Sequence, residues 1–212
     1  MNPIHERIKN NFPTVLITLL SIVQALALEL LWNHVISSGY LFEITLEALL
    51  WWVQIAATLV GIILIWLVYA INAMRLRWLP NTTDSIFPFI VGLIEFALVA
   101  DLGPDGTGAW LMLMAVVFLL MTWSAQSTLA RARLDQDNKA FFDSIEPATL
   151  NDFIPQIAAS SLLGLSGLYV AVSRSDGVIP AVAILATFFV LVWQFFTVRG
   201  FWKITITIGD ES

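Results

Sequence analysis

Residues 46–74 read LEALLWWVQIAATLVGIILIWLVYAINAM, with Glu47 as the only charged side chain. A hydrocarbon core about 30 Å thick needs about 20 mostly apolar residues in a helix, so this stretch predicts a transmembrane span. Working outward, five more stretches approach or meet that length. The six spans are residues 13–35, 46–74, 85–100, 109–130, 154–172 and 178–198. The third is the shortest. The expected fold class is therefore all-α, a polytopic membrane protein with a single transmembrane domain over 1–212.

Composition agrees. Of the 212 residues, 58% are hydrophobic and only 12% charged, too few charges for the surface of a soluble domain of this size. The net charge of -6 comes from carboxylates spread over short loops, and no basic patch suited to nucleic acid is present. With no Cys and only His5 and His34, thiolate chemistry and a His-rich zinc or haem centre are not expected.

Lys and Arg set the expected orientation. Arg7 and Lys9 precede the first span, Arg75 and Arg77 follow the second, Arg131, Arg133 and Lys139 follow the fourth, and Arg199 and Lys203 follow the sixth. Only Arg174 falls on the other side, where Glu43, Asp101, Asp105 and Asp176 lie. This predicts both termini on the cytoplasmic side (N-in/C-in), in a bacterial cytoplasmic (inner) membrane. Residues 131–153 then form a cytoplasmic loop, and Leu134, Ala140, Phe141, Phe142 and Ile145 suggest a short helix resting on the membrane interface. Asn81-Thr82-Thr83 reads as a helix cap rather than a glycan acceptor. The tail over 203–208 alternates Ile with Thr, a strand-like spacing.

Polar groups inside the spans are costly in lipid, and their placement points to function. On the first span Thr14, Thr18, Ser21, Ala25 and Glu29 share a sector, with Gln24 and Asn33 at its margins. On the second, Glu47, Trp51, Gln54, Thr58, Gly61, Ile65, Tyr69 and Asn72 fall near one line. The third carries Glu95 near its midpoint. No basic residue lies in any span, so Glu29 and Glu95 have no evident intramembrane cation. Ser160, Gly164, Gly167 and Ala171 form a small-residue ridge on the fifth span, suited to close helix packing or a subunit face. Met112, Met114 and Met121 read as apolar filling rather than a copper site.

No potassium-filter, voltage-sensor, Walker-loop, zinc-pair or serine-elbow motif is present, and no enzyme activity, cofactor or resident metal is expected. The expected function is a small channel or carrier. Its cation or proton path would run over helices one to three, through Glu29, Glu95, Ser21, Gln24, Gln54 and Thr58, with Tyr69 and Asn72 at the cytoplasmic mouth. The competing class is a non-transporting membrane subunit, scaffold or assembly factor. Expected partners are the lipid bilayer and a second copy or another membrane protein, with no nucleic acid.

Overall fold

A computed structural model describes residues 3–143, 150–173 and 177–209, with the backbone alone at 140, 150–151 and 201–209. Its helices are α1 (Pro3–Ser37), α2 (Leu46–Arg75), α3 (Thr82–Ala100), α4 (Thr107–Arg133), a single-turn α5 (Lys139–Phe142), α6 (Leu150–Ser173) and α7 (Val178–Gly209). No strand occurs among the described residues. Six of the helices are long and apolar enough to cross a membrane, so the chain is an integral membrane protein.

Two boundaries differ most from expectation. Helix α1 begins at Pro3 and runs through Pro13, because the polar residues before Pro13 carry the helix beyond the apolar band and the missing N–H removes only one bond. The tail over 203–208 is helix and not strand: α7 continues unbroken to Gly209, so Ile–Thr alternation without a pairing strand does not override an established helix. Asn81, in contrast, caps α3 as expected. Its side chain accepts from the Asp84 backbone while the Asp84 carboxylate accepts from the Asn81 backbone.

Helices α2 and α4 form the middle of the bundle. Helix α2 packs on α1 and α7, α4 packs on α3 and α6, α1 lies against α3, and α6 touches α7. Trp110, Leu111 and Ile184 are fully enclosed in the resulting core. Large apolar side chains such as Ile22, Leu165, Phe189 and Trp193 cover the outside, as lipid requires.

The small-residue ridge of α6 works inside the chain. A Cβ added at Gly167 would meet Gly108 O at 2.7 Å and Met112 N at 2.8 Å, and one at Gly108 would meet Ala171 N at 2.7 Å. These glycines let α4 and α6 approach backbone to backbone. Ser160 is buried and bonds its own helix at Gln156 O, 2.8 Å. The ridge thus packs against α4 within the chain, the first of the two uses its spacing suggested.

The loop after α4 is latched to the bundle. Asn138 accepts from Arg77 N (2.9 Å) and donates to Arg77 O (2.5 Å) and Ala132 O (2.7 Å). Arg75 lies 3.9 Å over the Phe141 ring and Arg133 4.6 Å over Phe142, which is itself buried. Lys9 pairs with Asp135 at 2.5 Å, and Arg77 meets Asp137, Glu6 and Asn10. The aromatic residues expected at the interface are therefore held by arginines; Leu134 remains exposed, and Ile145 lies outside the described residues.

Gly167→Ala is expected to lower stability by about 2 kcal/mol or more, because the new methyl group meets backbone atoms that cannot rotate away. Gly164→Ala, whose Cβ would sit 3.5 Å from Ala115 Cβ, is expected to be near neutral. Unfolding midpoints in detergent distinguish the two.

Candidate functional site

From Gln54 onward the polar line of α2 turns inward, and successive levels of the helix meet partners on α1, on α4 and in the loop after α3. At one end the buried Gln54 accepts from Gly103 N at 2.9 Å. Gly103 has φ of 100°, a left-handed conformation that favours glycine, and a Cβ there would lie 2.6 Å from the Tyr40 hydroxyl. The loop after α3 can therefore fold down over the end of the seam. Thr107 Oγ1 donates to Gly103 O at 2.9 Å and fixes it there. Beside it, burial pushes the Asp101 carboxyl above its ordinary range through loss of hydration.

One turn further along α2, Thr58 Oγ1 donates to Gln54 O (3.0 Å) and accepts from the fully buried Trp110 indole of α4 (2.9 Å). Near the middle, Gln24 of α1 spends both hydrogens of one amide nitrogen. It donates to Ile62 O at 2.9 Å and to Glu95 Oε1 at 3.2 Å, joining α1, α2 and α3 at one point. Glu95 has no exposed surface, and its Oε2 has no partner. A Cβ at Gly92, one turn before Glu95, would overlap Val23 Cγ1, so glycine is what lets α3 come close enough for this contact. Below it, Trp66 donates to Ser21 Oγ at 3.0 Å, and Tyr69 and Ser124 share a bond of 2.8 Å.

The sequence-derived path is thus brought together only in part. Gln24, Gln54, Thr58 and Glu95 are buried, Ser21 and Tyr69 are half-buried and bonded, and Asn72 lines a small cleft with Tyr69 and Trp78. Glu29 is not in this group. It is exposed on the opposite face of α1 with Thr14, Thr18 and Ala25, while Leu16, Leu20, Val23, Gln24, Ala27 and Leu31 face inward. Thr18 satisfies itself by donating to Thr14 O at 2.8 Å. Glu29 and Glu95 therefore lie on different sides of α1, because Thr14 and Thr18 turned outward with Glu29 while Gln24 and, in part, Ser21 turned in. His34 bonds the Tyr40 hydroxyl at 2.9 Å, and Glu43 and Glu47 are exposed.

The sequence reading missed Trp66, Trp110, Ser124 and Gly103 as partners. Trp66 and Trp110 each carry an indole N–H inside an apolar span, a donor that must find an acceptor when buried, and that was the available signal. Chemically, the seam is a set of interhelical clasps with two unmet buried atoms, Glu95 Oε2 near its centre and Gln54 Nε2 toward one end. No group of three or more His, Asp or Glu among the described residues is arranged to hold a metal ion. Against known proteins, the chain matches no family model, and no curated protein or solved structure is similar enough to count as a match.

Gln24→Leu is expected to destabilise the protein by about 2 kcal/mol, since it leaves a buried carboxyl with no partner. Glu95→Gln should cost less than about 1 kcal/mol, and the double change Gln24→Leu with Glu95→Leu should recover most of the loss. Chemical denaturation of the three variants checks this ordering.

Proposed function

We propose that the protein is a non-transporting membrane subunit whose α1 docks on a transmembrane helix of another chain. The observation that carries this reading is Glu29. It stands on the outward face of α1, makes no bond among the described residues, and shares that face with Thr14, Thr18 and Ala25. A carboxylate within an apolar span costs at least roughly 2.5 kcal/mol if it faces hydrocarbon at mid-bilayer, and less toward the boundary, so an outward acid favours a covering protein surface. The partner's chemistry follows from charge. None of this chain's six apolar spans holds a Lys or Arg, so a donor for Glu29 is best supplied by a different chain with a basic or amide side chain at that depth. The N-in/C-in orientation in a bacterial cytoplasmic membrane, inferred from the basic loops, is part of this proposal.

One observation favours the transport reading instead: Glu95 Oε2 is buried without a partner, a state compatible with a proton-carrying group. The clasps on either side of it weigh against a continuous path in this closed form.

Two measurements decide between them. Under the subunit reading, protein purified from its native membrane in mild detergent carries a stoichiometric second chain, Glu29→Leu releases it, and vesicles containing the purified protein show no cation or proton flux above empty vesicles. Flux that Glu95→Gln abolishes would establish transport and overturn the proposal. A homo-oligomer broken by Glu29→Leu would keep the docking face and reject the heteromeric partner.

A further inference from the structure

The basic end of the bundle, where the polar seam ends at Tyr69 and Ser124, holds a second set of unmet groups, well away from Glu29. Arg131 of α4 donates from Nη2 to Asp84 Oδ1 at 2.5 Å, and the other carboxylate oxygen accepts from Asn81 N at 2.9 Å. Each oxygen of the acid therefore already accepts one bond. The Arg131 Nε is buried and has no partner, and neither has the indole N–H of Trp78, a residue only 5% exposed. Both residues line one cleft, together with the Thr83 and Ser127 hydroxyls.

All the unmet buried atoms here are donors, so the cleft calls for an acceptor with lone pairs and no need to donate. Its charge is balanced before that acceptor arrives, because Asp84 offsets Arg131. It has room for about one water-sized group. Trp123, which is 50% exposed, also lines it and connects it to the outer surface of the bundle. Helix α3 starts at Thr82, one residue before Thr83, and its dipole adds to the attraction for negative charge.

We propose that this cleft binds a phosphate oxygen, supplied by the headgroup of a phospholipid in the adjacent leaflet. One phosphate oxygen enters to accept from Arg131 Nε and Trp78 Nε1, and the rest of the headgroup stays at the lip beside Thr83 and Ser127. Phosphate suits these donors better than a neutral carbonyl does, because one of them is a guanidinium N–H and charge-assisted bonds of this kind are the stronger ones.

The test follows the Trp78 indole itself. Protein labelled with ¹⁵N-tryptophan shows up to nine indole signals, one for each Trp, and Trp78→Phe identifies the relevant one. Delipidated protein in detergent is titrated with dioctanoyl phosphatidylglycerol, with dioctanoylglycerol and with inorganic phosphate. The Trp78 signal is expected to shift saturably with the phospholipid and to stay still with dioctanoylglycerol. Arg131→Lys keeps a cation opposite Asp84 but loses the Nε donor, and should weaken that response about tenfold. A shift by inorganic phosphate at the same concentrations would uphold the phosphate chemistry and assign a soluble source. A signal unmoved by either phosphate compound, or moved equally by dioctanoylglycerol, would overturn the proposal and leave the cleft to water.

Discussion

A polar side chain in the middle of a membrane bundle has neither water nor lipid to bond with, and must find its partner on another helix. In this protein that constraint falls mainly on α2. From Gln54 to Tyr69, about 22 Å of helix, its residues Gln54, Thr58, Ile62, Trp66 and Tyr69 meet Gly103, Trp110, Gln24, Ser21 and Ser124 in turn. The partners come from α1, the loop after α3, and α4. Each bond is modest, on the order of 1 kcal/mol, but an unmade one leaves a buried group stranded, so together they fix which helix lies at which depth. Apolar packing alone would leave the helices freer to slide.

Glycines set where this network is allowed to form. Gly92 permits the approach of α3 to Val23 that brings Glu95 to Gln24, and Gly108 with Gly167 permits the approach of α4 to α6. Gly103 lets the loop after α3 turn down onto Gln54. The basic end is tied differently, by charge and by Asn138, which holds the loop after α4 to the backbone at Arg77. One end is closed by a backbone turn and the other by a side-chain latch, and the polar seam runs between them.

Much of this architecture is legible in the amino-acid order alone. Six apolar runs are decided by length, and the inward line of α2 is decided by large amides and aromatics whose repeat matches a helix. The face of α1 was not legible for a physical reason. Thr14 and Thr18 are small enough to bond their own helix, so polarity does not determine which way they turn, and Glu29 followed them outward. The ridge of α6 announced close packing through Gly164 and Gly167, yet small residues do not name the helix that will meet them. The latch at Asn138 depends on pairing with Arg77 sixty-one positions away, which no local pattern encodes.

The central claim is that the seam between α1, α2 and α3 is dry. Because the chain contains no cysteine, single cysteines report on it without background. Ala27→Cys and Thr58→Cys, at positions with 0% and 1% exposure, should resist a charged methanethiosulfonate reagent added from either side of the membrane, while Glu43→Cys in the loop reacts readily. Rapid modification of Thr58→Cys or Ala27→Cys by that reagent would place water along the seam and contradict the account.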